Sequence, residues 1–443
     1  MKKLISLLFC LFFLLPAAHG EKLETLPELL LFTQETMERE YVKKDLYTQR
    51  TYPRTAHEQV NREMEAVIDA LHEKALPFLP QKPADLMPAY LDVGATVFRT
   101  GLKWMSFLSI ARIAYEREQT YVDFDARVYD METGERITLS ALFPKESEAW
   151  SVLENAVRTQ LTAYFPGTEP DQEALSALCS RESLENAPFT LTPAKLSLHF
   201  KADALYPGKN TLMHVHLYFS EIRPLMNAFG WENTDCSMYK MIALTYDDGG
   251  ARGASLNVVE QLRRFGANAT FFVVGTTMKN NHDVLCREHD AGYAVESHNY
   301  EHVYSDLTEK KIHAWKERFD REMSAITGHT ASYMRAPGGN FKKYVDGKIG
   351  LPLIQWSVVS GDVNNSNYES VAGTVLYHAE DGAVVLMHDL NPLSFKYTEI
   401  ILPELAKRGY LCVTVDELFS HYGIPLQENT VYYSCEEAAL NIP

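Results

Sequence analysis

The sequence predicts an α/β chain in two parts: a first half of α+β type with an antiparallel sheet, and a second half of parallel βα units. Three observations carry this. The chain has 443 residues, 46% of them hydrophobic and 23% charged, which is long for one average domain and enough for two with their own cores. From about Leu91, apolar and polar residues alternate between turn residues, as in "YVDFDARVYDMETGERITL", where two strands flank a turn at Glu132-Thr133-Gly134. After a polar junction, "WENTDCS" at 231–237, continuous apolar runs ("MIALTY", "ATFFVV", "YAVES", "LIQWSV", "AVVLM", "LCVTV") alternate with helical stretches. Buried strands separated by helices imply a parallel sheet, either open or closed into a barrel.

The N-terminal "MKKLISLLFCLFFLLPAAHG" has two lysines, an apolar run from Leu4 to about Leu15, then Pro16 and the small residues Ala18 and Gly20. That is the pattern of a secretory signal over residues 1–20. The apolar run is short for a membrane span, so a membrane is expected as a partner only if the segment is retained as an anchor. Cys10 falls inside this run. Cys179, Cys236, Cys286, Cys412 and Cys435 are widely spaced and form neither a disulfide framework nor a CxxC metal site. Residues 21–90 form a helical leader on this reading, because Val60, Met64, Val67, Ile68 and Leu71 make one helical stripe.

Residues 91–230 follow as the α+β domain. Its "LSLHF" and "LMHVHLYF" segments are separated by the turn at Pro207-Gly208, and His214 and His216 share one strand face. With no third ligand nearby they read as ordinary strand histidines. Residues 237–425 make up the βα half. One of its helices is marked by Leu256, Val259 and Leu262, another by Ile312, Trp315, Phe319 and Met323. Residues 426–443 are left as a C-terminal tail. A formal charge of −17 without a basic block excludes nucleic acid as a partner.

In either parallel architecture the chemistry gathers at the C-terminal ends of the strands. "TYDDGG" puts Asp247 and Asp248 at the first such end, where adjacent carboxylates repel each other unless a cation lies beside them. "SHNYEH" spaces His298 and His302 four apart, a separation that a helical turn would bring onto one side. "YMRAPGGN" adds Arg335 and a flexible backbone at Gly338 and Gly339, "QWSVVSGD" ends in Asp362, and "AVVLMHD" ends in His388 and Asp389. Each motif alone is weak. Their recurrence at successive strand ends is the signal. Two histidines and one carboxylate make a three-ligand site for a divalent ion, with a position left for water whose pKa the ion lowers. A second carboxylate beside that site can serve as general base, glycine-turn N–H groups can hold an oxyanion, and an opposing histidine can protonate a leaving nitrogen. Such a set hydrolyses an amide.

On these motifs, residues 240 to about 420 resemble a polysaccharide deacetylase of the NodB-homology type, carbohydrate esterase family 4. The five motifs of that family have counterparts here in the same order. The resemblance implies a distorted (β/α) barrel and assigns roles residue by residue. Asp247 in "TYDDGG" would be the base and Asp248 a metal ligand, with His298 and His302 of "HNYEH" completing the ligand set. Arg335 of "RAPGG" would brace the base, and Gly338 would contribute a backbone amide to the oxyanion hole. Asp362 of "VVSGDV" would orient the acid. In "LMHD", Leu386 would line the acetyl pocket and His388 would be the acid. The implied cofactor is one divalent ion, zinc, with cobalt or another first-row ion able to substitute.

The sequence departs from the family pattern at four places: Val303 stands where a proline is usual, Gly338 where an aromatic is frequent, Val359 for a frequent Asp and Val363 for a frequent Trp. None removes a ligand, base or acid; Gly338 and Val363 alter groove walls. Residues from about Leu91 to Asn227 more loosely resemble the extracellular domain that accompanies some peptidoglycan deacetylases, and the outer domain of lysozyme-sensing anti-sigma factors. Together the resemblances imply a bacterial enzyme, secreted or held at the envelope, that removes N-acetyl groups from peptidoglycan glycan strands. The alternatives are a chitooligosaccharide or acetyl-xylan deacetylase, or a catalytically silent wall-binding or lysozyme-sensing protein. A chain starting near Thr234 is expected to fold by itself, with the first half only placing the enzyme on wall material.

Overall fold

The computed structural model describes residues 22–41, 46–80, 89–249 and 252–440. The expected signal segment, with Cys10, lies outside the described residues. The first half is built on a six-stranded sheet in sequence order: β1 (Phe32–Tyr41), β2 (Leu46–Thr55), β3 (Ala89–Thr100), β4 (Trp104–Tyr115), β5 (Glu118–Asp130) and β6 (Arg136–Ile137). All its pairings are antiparallel except β2 with β3, which run parallel. The helix Glu58–Ala75 buries Val60, Met64, Val67, Ile68 and Leu71, as its stripe predicts.

Successive side chains of a strand point to opposite faces, and β3 uses both. Its odd residues Leu91, Val93 and Val97 pack with that helix. Its even residues Asp92, Gly94 and Phe98 meet the second half of the chain instead. Gly94 is needed there, because an added Cβ would come within 2.6 Å of the Arg263 guanidinium. A smaller antiparallel sheet of β7 (Phe189–Leu191), β8 (Lys195–Lys201) and β9 (Leu212–Tyr218) carries further helices and its own apolar core.

Residues 21–90 are therefore not a helical leader. Two of the sheet's strands lie in this stretch, and β2 pairs directly with β3. The segments "FTQETMEREY" and "LYTQRTYPRT" are largely polar, so they carry no apolar alternation to reveal them as strands.

In the second half, β10 (Lys240–Asp248), β11 (Thr270–Val273), β12 (Ala294–Ser297), β13 (Leu353–Ile354), β14 (Val358–Val359), β15 (Ala383–His388), β16 (Tyr410–Val413) and β17 (Val431–Tyr432) alternate with helices. The parallel sheet runs β12-β11-β10-β15-β14, with β16 also on β10. Single bridges at Ser297–Met334, Met334–Leu353 and Ala383–Ser434, with β17 beside β13, curl it into an irregular barrel. Leu244, Phe271, Val295, Val385 and Met387 face a core completed by Val258, Val259, Leu262, Ile312, Trp315, Phe319 and Met323 from the helices. Residues 426–443 are not a separate tail: β17, Ser434 and the buried Cys435 close the barrel. A two-residue strand is too short to leave a period in the sequence.

The two halves are locked together by buried polar groups. Asp92 lies 3.4–3.5 Å from the guanidinium groups of Arg112, Arg263 and Arg287, two of which come from the second half. These charges hold the Asp92 carboxyl well below the usual carboxylate range, outweighing the opposing effect of its burial. Arg99 donates to the carbonyls of Leu30, Phe265 and Gly266. Lys195 reaches Asp416 at 2.8 Å and Glu417 at 3.5 Å. The N-terminal segment is fastened too: the Leu23 N–H donates to Met238 O, and Leu26 is buried in the second half's core. A chain beginning at Thr234 would lose these cross-junction partners, expose Arg263 and Asp416, and empty the place that Leu26 fills in the second half's core. The two halves are therefore joined by more than the linker that the sequence suggested.

His214 and His216 do share a face of β9, but within a cluster of histidines drawn from both halves. His199 and His214 meet through their Nδ1 atoms at 2.7 Å, and His214 Nε2 donates to His289 O. Burial pushes His199 and His289 down to about 3, and His214 and His216 well below 6.5. Once unfolded, these imidazoles take up protons near pH 6.5. Their contribution to stability is thus complete above that pH and is lost as pH falls from about 6.5 toward 3. For His199 or His289 the loss reaches about 2 kcal/mol at pH 5. The paired His329, raised by Glu296 against the effect of its own burial, works the other way. Thermal melts at pH 7.5 and 5.0 should therefore show a midpoint lower by about 5 °C or more at the acid pH; a flat profile would contradict the cluster's neutral state.

Candidate active site

The site lies where β10, β12 and β15 end. Register places its parts: Asp247 of β10 sits opposite His388 of β15, and Asp248 opposite Val273 of β11, which in turn pairs with Ser297, one residue before His298. Adjacent strand residues should point to opposite faces. Asp248 escapes this because its φ is 82°, in the left-handed region. Both carboxylates consequently approach His298, whose Nε2 lies 3.8 Å from Asp247 Oδ2 and 3.6 Å from Asp248 Oδ1.

The two carboxylates have different partners. Asp247 is buried and accepts from Arg335 at 2.7 Å. Arg335 is wholly buried and also donates to Thr245 Oγ1 and to the carbonyls of Ile354 and Gln355. Burial lowers its pKa, and the Asp247 charge counters that. Asp248 Oδ1 is buried and has no hydrogen-bond partner. It faces His302 Nε2 at 3.2 Å as well as His298. An orphaned carboxylate oxygen beside two imidazole nitrogens is what a divalent cation satisfies, and Asp248, His298 and His302 bring their ligand atoms within 4.8 Å of one another.

The histidines are prepared for this. His298 Nδ1 donates to Arg335 O at 2.9 Å, which leaves Nε2 as a lone pair toward the aspartates. Burial favours its neutral form, against the pull of Asp247 and Asp248. His298 and His302 do not share a helical turn, as the spacing suggested. They lie in a loop that Asn299 turns at φ 65°, with ring centroids 5.2 Å apart. A second cluster with ligand-like spacing, His214, His289 and Asp290, is spent on internal bonds: Asp290 accepts from Gln119, Thr211 and the Leu212 N–H, and His289 Nε2 donates to Leu212 O.

Across the site, His388 Nδ1 donates to Asp362 Oδ1 at 2.9 Å, and the His388 N–H donates to Asp362 Oδ2 at 2.8 Å. The Tyr397 hydroxyl lies 2.9 Å from Asp362 Oδ2 and 2.7 Å from His388 O, with one proton to donate between them, and the Ser394 hydroxyl donates to His388 O. Burial disfavours the charged imidazole, but the bond and charge of Asp362, with Asp247 and Asp248 beyond, outweigh it and raise His388 above 6.5. Tyr397, Ser394 and Thr245 were not found from sequence. Thr245 had a signal, since it sits two residues before Asp247 on the same strand face; the other two have none in spacing or type.

Leu386 lies two residues before His388, hence on the same face of β15, and is nearly buried. Gly338 occupies a single turn at φ 60°, and an added Cβ would come within 2.6 Å of the Tyr304 ring. Tyr304 lies where a side chain at position 338 would begin; it is 56% exposed and stands edge-on to His302. Val359 and Val363 are exposed. Val303, in place of the usual proline, packs on the barrel core.

The nine residues to which the resemblance gives roles converge on this strand-end region. If His388 donates a proton in the reaction, Asp362→Asn removes the charge that raises its pKa. The alkaline limb of the rate profile should then shift to lower pH by about one unit, with turnover down roughly tenfold or more. Rates measured across pH 5–10 check this, and an unmoved limb would assign the acid elsewhere.

A family model described as polysaccharide deacetylase matches residues 235–350. The peptidoglycan-N-acetylglucosamine deacetylase PgdA of Listeria monocytogenes is 31% identical over 316 residues, which cover 69% of this chain and 66% of that relative. The chain thus spans a little under two thirds of that protein. The match is longer than the stretch from residue 237 to the end, so it includes part of the first half. The peptidoglycan-N-acetylglucosamine deacetylase of Bacillus cereus is 30% identical over 195 residues, 41% of this chain and 89% of the relative. Among solved structures, that of the peptidoglycan deacetylase PdaC from Bacillus subtilis is 26% identical, with a TM-score of 0.41 over 42% of this chain and 92% of that one.

Proposed function

Because the chain belongs to the polysaccharide deacetylase family, we propose that it is a metal-dependent hydrolase removing N-acetyl groups from N-acetyl-hexosamine residues of peptidoglycan. The observation that carries this reading is the split between the two aspartates: Asp247 is neutralised by Arg335, while Asp248 turns an unpaired oxygen toward His298 and His302. The peptidoglycan substrate is supported by the Listeria and Bacillus relatives, which are named for it.

Asp248, His298 and His302 would hold the cation, with zinc the expected ion and cobalt able to replace it. When bound, the cation supplies Lewis acidity to the acetyl carbonyl and acidifies an attacking water. Asp247 Oδ2 takes a proton from that water, while Arg335 holds Oδ1 and keeps the carboxylate in place. The backbone at Gly338 contributes an N–H to the developing oxyanion. His388, its Nδ1 fixed on Asp362, delivers a proton from Nε2 to the departing sugar nitrogen. Acetate leaves and a free amine stays on the glycan. Leu386 would border the acetyl methyl. The signal-like segment at 1–20 supports an activity outside the cytoplasm, secreted or at the envelope.

Two experiments test the reading. Mass spectrometry of peptidoglycan fragments incubated with the protein should show loss of acetyl groups. Chelation should abolish it, and zinc or cobalt should restore it; full activity in metal-free protein would overturn the reading. In the second, Asp247→Asn should keep its metal but lose about 10²–10⁴-fold in turnover, whereas Asp248→Ala should lose metal as well. Variants that behave alike in metal content and turnover would refute the division of roles.

A further inference from the structure

We propose that Asp389 is a positioning residue for the metal-facing carboxylate of Asp248, acting through the peptide that joins Asp248 to Gly249. It is a buried acidic residue of the strand-end motifs to which the proposed chemistry gives no work. The inference rests on the cation site proposed above.

Asp248 must hold φ at 82° for its side chain to leave the strand's alternation and face the histidines. A non-glycine residue in that region costs on the order of 1 kcal/mol and needs something to hold it. On one side the sheet does so, since Asp248 O accepts from the Val274 N–H at 3.1 Å. On the other side Asp389 does: its Oδ1 accepts the Gly249 N–H at 3.0 Å. A hydrogen bond to that N–H fixes the plane of the Asp248–Gly249 peptide. Fixing the plane sets the ψ of Asp248, and with it the direction in which the carboxylate leaves the backbone.

Asp389 is itself immobile. It is completely buried, and its own N–H lies 3.4 Å from Asp247 O, so it grips the ends of both catalytic aspartates from β15. A wholly buried acid is costly to the fold. Its placement beneath the turn that presents Asp248 gives that cost a use: it supports a ligand from behind without touching the cation.

Zinc affinity of the unaltered protein, Asp389→Asn and Asp389→Ala, measured by competition with a chelating dye, tests this. The asparagine keeps an acceptor oxygen for Gly249, so its affinity should stay within about threefold of the unaltered protein. The alanine should bind zinc about 10–100-fold more weakly, the range for residues that orient ligands. Should Asp389→Ala fail to fold, Asp389→Ser carries the same expectation, because its hydroxyl is too short to reach Gly249. Unchanged affinity in the alanine or serine variant overturns the inference. An asparagine variant as weak as alanine overturns the hydrogen-bond route. Hydrogen exchange of the Gly249 amide in metal-free protein separates this inference from the cation reading: about tenfold faster exchange in the alanine or serine variant supports it, and equal rates overturn it even if zinc binds. No zinc uptake by the unaltered protein would instead overturn the cation reading of Asp248.

Discussion

The buried guanidinium of Arg335 is the constraint on which the site depends. A charge removed from water is tolerated only when its donors are used, and Arg335 spends its own on Asp247, Thr245, and the carbonyls of Ile354 and Gln355. Its backbone is equally engaged: its N–H donates to Ser297 O, and its carbonyl accepts His298 Nδ1. One residue therefore joins β10, the end of β12 and β13. It also holds the Asp247 carboxylate and sets the tautomer of His298. The ring of Phe272, 4.3 Å from the guanidinium, packs against the same buried charge. This also explains how adjacent aspartates coexist: one charge is paired within the protein, so only the other is left for a cation.

Much of this was legible in the sequence, for a physical reason. Buried parallel strands need continuous apolar runs, and functional side chains at their ends break those runs with residues that have no business in a core. Asp247, Asp248, His298, Arg335, Asp362 and His388 announce themselves as polar residues at the ends of, or just beyond, apolar segments. What stayed hidden has equally particular causes. The β1 and β2 strands carry little apolar pattern, and β17 is two residues long. The loop from His298 to His302 turns through Asn299 at positive φ, a conformation that spacing alone cannot distinguish from a helical turn. Tyr397 and Ser394 reach His388 and Asp362 from a helix whose only sequence message is its apolar face.

The partition into an accessory half and a catalytic half fails for a similar reason. Sequence pattern reports which face of a strand is apolar; it does not report which neighbour covers that face. Strand β3 is buried on both sides because its even residues lie against the barrel's helices. The contacts there are charged and buried, with Asp92 meeting three arginines and Lys195 meeting Asp416 and Glu417. Each of these groups meets a counter-charge across the junction, so the pairs fix how the two halves fit together. The first half thus covers one face of the barrel that presents the site.

The relation between Gly338 and Tyr304 shows how a groove wall can move without moving the chemistry. Position 338 adopts φ 60°, where a side chain is strained, and the Tyr304 ring already occupies the volume beside it. The aromatic surface beside position 338 belongs to the loop that carries His302, which Tyr304 touches edge-on. His302 and Tyr304 thus lie on one segment, tied back by the bond from Asn340 to Tyr304 O. Any group that displaces the Tyr304 ring would consequently bear on the same segment as His302.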